Sequence, residues 1–236
     1  MMYPKTIILL CVFLACAFYA QAKTYVVCVG ISKYKSNQPT LYKSDTDALT
    51  IQNIFAKAGA KTSSLTNYGA TSQNIRNEMR VMFSQAGKDD TVILFFSGHG
   101  YRGGFCSTDG LISYQTIYEI MKQSKASKKM IFADACFAGK MRKTQKESSQ
   151  YSRESVMLFL SSRSTEVSYE SRYKNSWFTV YLERALRGGA DNNRDKTVSA
   201  KELFDFVAKG VAQSTNGKQH PVMWGKFDDN MPIIKW

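Results

Sequence analysis

Histidine is almost missing from this chain. Among 236 residues only His99 and His220 carry an imidazole, so the search for a general base has two candidates. Beyond the N-terminus no apolar run approaches the ~20 residues that a membrane-spanning helix needs, and the remainder reads as soluble. Internal repeats and low-complexity tracts are lacking. Acidic residues are scarce, 19 against 32 Lys and Arg, which gives a formal net charge of +13. Such a surplus invites a nucleic-acid reading. The basic residues are spread out, however, apart from "KMRKTQK" at 140–146, and aromatic and basic residues do not interleave as on RNA-binding sheets. No nucleic-acid partner is expected.

Cysteine is also sparse, with five in the whole chain. Two of them, Cys11 and Cys16, fall in "MMYPKTIILLCVFLACAFYAQAK". In that stretch Lys5 is the only early charge, an apolar run extends from Thr6 to Ala20, and Ala20-Gln21-Ala22 has the small-x-small pattern of a signal-peptidase site. Residues 1–22 are therefore read as a signal peptide, an uncleaved anchor being the alternative. The expected location is secreted or periplasmic, with no membrane attachment once the signal is removed. The mature chain, beginning near Lys23, keeps Cys28, Cys106 and Cys136. Three thiols cannot form a disulfide framework even where export permits one. At least one is free, and in an exported protein a free thiol needs a reason to be there.

What is present is enough apolar residue, 44%, to build the core of one larger domain. "TYVVCVGI" (24–31), "DTVILFFSGHG" (90–100) and "KKMIFADA" (128–135) are continuous apolar runs, the pattern of strands buried on both faces. Between them, 46–59, 71–87 and 113–124 show helical periodicity, with Ala48, Ile51, Ile54, Phe55 and Ala58 on one face of the first. A further strand is read at 155–162 and helices at 176–189 and 199–214, the last opened by Ser199 and Glu202 in capping-box spacing. This alternation predicts an α/β fold, a three-layer α/β/α sandwich with a mostly parallel central sheet. The single domain would span 23–236, with a catalytic part at 23–140, a basic linker loop at 141–154 and a C-terminal part at 155–236.

In such sheets chemistry collects at the carboxyl ends of the strands, where His99 and Cys136 both stand, each just past its own apolar run. A free thiol is only a few per cent thiolate at neutral pH. A neighbouring imidazole can take its proton during attack on a carbonyl. Each residue alone has a plain structural reading, the cysteine as a small buried hydrophobe and the histidine as a turn residue. Their joint placement is what points to acyl transfer.

"FFSGHG", followed 37 positions after His99 by the cysteine of "DACFAG", resembles the caspase-like cysteine peptidases, and among them the metacaspase and bacterial caspase-like branch. "YVVCVGISKY", "LYKSDTDA" and "SSRSTEVSYE" extend the likeness over most of the mature chain, while Phe137 departs from the histidine or tyrosine of many relatives. The resemblance implies a caspase-like fold and a dyad of Cys136 as nucleophile with His99 as acid/base. It implies an oxyanion hole from the backbone N–H groups of Gly100 and Cys136. It also implies a pocket for Lys or Arg formed by Asp134, Asp47 and Ser97. For Asp47, a helix N-terminal acid balancing the dipole is the competing reading. No third residue orienting the imidazole can be assigned.

The expected partners are peptide or protein substrates with Lys or Arg at the cleavage site. The enzyme's own Lys140, Arg142, Lys143 and Lys146 are candidates for self-cleavage. The competing functions are a catalytically silent caspase-like binding module and a caspase-like peptidase with acidic specificity. The dyad chemistry needs no cofactor. "DNNRDKTVSAKE" (191–202) nevertheless places Asp191, Asn193, Asp195, the Thr197 carbonyl, Ser199 and Glu202 at EF-hand-like positions, which makes calcium a candidate ligand. Against it, Lys196 stands where the sharp turn wants glycine. His220, before a proline in a final strand, is read as structural.

Overall fold

The computed structural model describes residues 22–35, 37–101, 103–136, 138–141 and 156–236. The signal peptide expected at 1–22 (apart from Ala22), Phe137, and the linker with Arg142, Lys143 and Lys146 lie outside the described residues.

Six strands form the central sheet: β1 (Thr24–Gly30), β2 (Lys61–Thr66), β3 (Thr91–Ser97), β7 (Lys128–Asp134), β8 (Met157–Leu160) and β10 (Val222–Trp224). Their spatial order is β10-β8-β7-β3-β1-β2, and every pairing is parallel except that of β10 with β8. The continuous apolar runs have their reason here. Val27 and Val29 of β1 enter one core cluster while Val26 and Cys28 enter the other, so neither face of the strand can be polar.

One face is covered by α2 (Ser72–Ser84) and α3 (Tyr114–Gln123) through Ile75, Met79, Phe83, Ile117 and Met121. The other is covered by α1 (Ser44–Lys57), α4 (Trp177–Arg184) and α5 (Ala200–Ser214) through Ile51, Phe55, Phe178, Leu203 and Val207. Each buried side chain of this kind contributes roughly 1.5–3 kcal/mol. The predicted three-layer α/β/α arrangement is the one observed. The helices begin where their caps allow. Thr71 and Ser113 accept the N–H of Asn74 and Thr116, and Ser199 forms a full capping box with Glu202.

Three features lie beyond the predicted elements. The edge strand β2, "KTSSLT", is polar and half-exposed and so carries no apolar signature. A small sheet of β4 (Gly100–Tyr101), β5 (Gly104–Ser107) and β6 (Gly110–Ser113) folds over the end of β3, held by Phe105 stacked on Phe96 at 4.2 Å. Strands β9 (Thr197–Ser199) and β11 (Pro232–Lys235) pair antiparallel at the foot of α5.

Helix α1 approaches the sheet most closely at the end of β1. A Cβ built on Gly30 would lie 2.2 Å from the carbonyl oxygen of Ser44 and 2.6 Å from the Cβ of Ala48. That contact sets the first turn of α1, and with it Asp47, against the strand tips. Because the obstacle is backbone, Gly30→Val cannot be relieved by a rotamer. It should cost about 1–3 kcal/mol, as overpacking does. Urea unfolding measures this, and an unchanged midpoint would contradict the packing described.

Candidate active site

The parallel register levels the strand ends. Gly30 pairs with Ser97, and Ser97 with Asp134. Two residues beyond Ser97 comes His99, and two beyond Asp134 comes Cys136. Leu41, Ser97, Gly98, His99, Asp134, Ala135, Cys136, Ser168, Tyr169, Glu170 and Ser176 are among the residues lining the cleft above these tips. The thiol and imidazole singled out in the sequence therefore face one shared space. Gly100 completes the junction. Its backbone packs so closely on the following turn that a Cβ would lie 2.2 Å from the Cys136 carbonyl oxygen.

His99 is held on three sides. Its backbone N–H donates to the Tyr34 hydroxyl at 2.8 Å, its carbonyl accepts the Cys106 N–H at 2.9 Å, and its ring lies 5.1 Å from that of Tyr34. Its Nε2 is 2.7 Å from the carbonyl oxygen of Pro39. A carbonyl only accepts, so Nε2 carries a hydrogen, and in the neutral ring the lone pair is on Nδ1. Pro39 thus supplies the orienting group that no side chain in the sequence could suggest. A main-chain carbonyl leaves no signature in residue type.

Cys136 is half-buried, and burial raises its thiol pKa, with the Asp134 carboxylate adding to the rise. The backbone N–H groups of Ser168 and of Cys136 itself pull the other way. The remaining thiols are free but belong elsewhere. Cys28 lies within the central sheet, where burial drives its pKa far above that of an ordinary thiol, and Cys106 is part of β5 in the small sheet.

The two aspartates are a buried pair. Asp134 is 4% exposed and accepts from the hydroxyls of Ser168 and Thr179. Asp47 is 0% exposed and accepts four hydrogen bonds, from the Ser97 hydroxyl, the Asn175 amide, and the N–H and hydroxyl of Ser176. Asp134 and Ser97 reach the cleft surface, while Asp47 stands one layer behind, screened by Ser97 and Ser176. Burial raises both carboxyl pKa values, and for Asp47 the charge of Asp134 raises it further. Asp47 does lie in the first turn of α1, but its bonding is to the neighbouring elements rather than to the helix end. Ser168, Thr179, Asn175 and Gln219 escaped sequence reasoning, since isolated hydroxyls and amides follow no pattern. Gln219 is fully buried and anchors the cleft wall by accepting from Tyr169 N–H and donating to Ser168 and the Ser161 carbonyl.

The loop at 191–202 uses its oxygens internally. Asp191 accepts from the N–H groups of Asp195 and Lys196, Asn193 from Asp195, Asp195 from Thr197, and Glu202 from Asn192 and Ser199. Lys196 takes the left-handed turn, φ 64°, at the position where glycine is usual. Among the described residues no three His, Cys, Asp or Glu side chains are grouped to hold a metal ion. His220 is not among the cleft-lining residues. Its ring Nδ1 and its backbone N–H both bond Glu166, at 2.9 and 2.8 Å.

The match to known proteins agrees with this geometry. The caspase-domain family profile matches residues 23–231, and the chain belongs to that family. No curated protein matches in sequence. Among solved structures, the chain is similar to a structural-genomics protein from Geobacter sulfurreducens, with 16% identity, 91% of this chain and 97% of that one covered, and a TM-score of 0.68. It is also similar to caspase-1 from Spodoptera frugiperda, with 16% identity, 86% of each chain covered, and a TM-score of 0.66. At such identities the likeness is one of fold.

The raised carboxyls have a measurable consequence. The folded protein holds their proton more tightly than the unfolded chain does. The pair's contribution to stability is therefore full below the ordinary carboxylate pKa of about 4 and is lost as pH rises through the raised values. Asp134→Asn cannot ionise, and its amide oxygen can still accept. Its unfolding free energy should exceed that of wild type at pH 8 by roughly 1–3 kcal/mol, seen as a higher melting temperature, and the gap should close near pH 4. A gap that does not vary with pH would refute the raised carboxyls.

Proposed function

We propose that this protein is a cysteine endopeptidase of the metacaspase and bacterial caspase-like branch, cutting after Arg or Lys. The observation that carries the reading is the common cleft of Cys136, His99 and Asp134 at the tips of adjacent parallel strands, in a chain of the caspase-domain family.

In this mechanism Sγ of Cys136 attacks the scissile carbonyl carbon as Nδ1 of His99 takes the thiol proton. Negative charge on the carbonyl oxygen is met by the N–H groups of Gly100 and Cys136, each such donor being worth about 3 kcal/mol when aimed at the developing charge. The C–N bond then breaks, the imidazolium gives its proton to the leaving amine, and water activated by His99 releases the acyl group from sulfur. Because burial raises the Cys136 thiol pKa, attack relies on His99 as base rather than on a standing thiolate.

Specificity follows from charge. Asp134 offers a lysine or arginine side chain a carboxylate at the cleft floor, and Asp47 adds its field from behind Ser97. An acidic side chain would meet two like charges, which disfavours the aspartate-cleaving alternative. Truncating one member of a buried charge pair costs about 2–5 kcal/mol. The protein is expected to be exported by its N-terminal segment and to act on extracytoplasmic peptides, with calcium at 191–202 as a candidate modulator.

A peptide reporter ending in Arg should be cleaved at least a hundredfold faster than one ending in Asp. Cys136→Ala should abolish both activities, and Asp134→Asn should lower kcat/KM for the Arg reporter by a factor of about 30 or more. Turnover of the Asp reporter at a comparable rate, or activity surviving in Cys136→Ala, would remove the proposal. Repeating the assay with calcium and with a chelator tests the loop.

Export and self-processing have their own measurement. N-terminal sequencing of the exported protein should begin near Lys23. Active enzyme should show a cut within 140–146 that Cys136→Ala lacks. Identical migration of the two proteins would eliminate self-cleavage.

A further inference from the structure

Glu170 belongs to the cleft wall, yet its side chain is directed at backbone. Its Oε1 accepts the N–H of Tyr42 at 2.6 Å and that of Lys43 at 3.0 Å. These amides close the loop that enters α1, a helix whose N-cap residue, Lys43, makes no side-chain cap of its own. The loop is lightly held. Residues 37–40 are exposed, and the other described backbone bond fixing its end runs from Leu41 N–H to the Ser32 carbonyl at 2.9 Å. Three residues before Tyr42, the same loop offers the Pro39 carbonyl to Nε2 of His99.

The base from which Glu170 reaches is firm by contrast. Its backbone bridges to Ser176, whose N–H and hydroxyl hold Asp47, and its neighbour Tyr169 is tied to the buried Gln219. Glu170 thus joins a rigid wall to the loop that orients the imidazole.

We propose that Glu170 is a positioning residue, a latch that keeps the 39–43 loop down so that the Pro39 carbonyl holds His99 as one tautomer in one orientation. With the latch in place Nε2 keeps its hydrogen and Nδ1 stays available to the cleft. Without it the carbonyl withdraws, the ring turns, and the hydrogen is shared between the two nitrogens. The effect on rate rests on the peptidase reading above; the effect on the imidazole does not.

The test uses the full chain, labelled with ¹⁵N-histidine, as wild type, Glu170→Ala and Glu170→Gln. With only two histidines, His220 on Glu166 serves as the internal control. Wild type and Glu170→Gln, whose amide oxygen can accept the same two N–H groups, should show the Nε2–H tautomer at His99. Glu170→Ala should show a mixture at His99, with His220 unchanged. On the Arg reporter, Glu170→Ala should lose about tenfold in kcat with KM within about twofold, and Glu170→Gln should recover to within about twofold of wild type. The latch is overturned if the His99 tautomer is the same in all three proteins. It is equally overturned if both variants raise KM and leave kcat intact, since Glu170 would then be acting through its charge on a cationic substrate. Should wild type prove inactive, the peptidase reading fails alone and the tautomer spectrum still decides the latch.

Discussion

The arrangement depends on the pairing of β3 with β7. Their parallel register sets Ser97 level with Asp134, so the two turns that follow leave the sheet side by side. A slip of one residue would send every side chain of one strand to the opposite face. It would also separate the histidine turn from the cysteine turn. Register is in turn enforced by shape, because both faces of both strands pack against helices and a shift would exchange side chains of different size between the two cores. The chemistry of the cleft is thus fixed by hydrophobic packing well below it.

Upon that base the protein supports an unfavourable feature, two buried acids sharing one neighbourhood. Neither is balanced by ionisation alone. A cage of hydroxyls and amides from Ser97, Ser168, Asn175, Ser176 and Thr179 supplies the hydrogen bonds that keep the acids in place. Donors of this kind stabilise a carboxylate only in part, and burial still lifts both acids out of their usual range. A site so constructed would suit a bound cation, in line with the specificity proposed above.

Much of this was legible in the sequence, and for definite reasons. Strands such as "TVILFF" declare themselves because burial on two faces demands unbroken apolar residues, and Asp134 and Cys136 stand out because they interrupt that rule at a strand end. The polar edge strand β2 and the short β4–β6 sheet carried no comparable signal. Within the cleft, residue type disclosed His99, Cys136 and Asp134 but not their supports. Pro39 contributes a carbonyl, Ser168 and Thr179 contribute single hydroxyls, and Glu170 binds amides 127 and 128 positions away. Such contacts exist only once the chain has closed on itself. Asp47 shares the neighbourhood of Asp134 but stands behind Ser97 and Ser176, outside the cleft lining.

Asp134 lies two residues from the sulfur whose ionisation it opposes. Burial first, and that repulsion after it, raise the Cys136 thiol pKa, which disfavours the thiolate that peroxides and electrophiles consume. On the specificity proposed above, a guest bearing positive charge would offset the repulsion on arrival. Under the proposed function, selectivity and nucleophile arousal would be a single electrostatic event, with Asp134 acting on both substrate and sulfur.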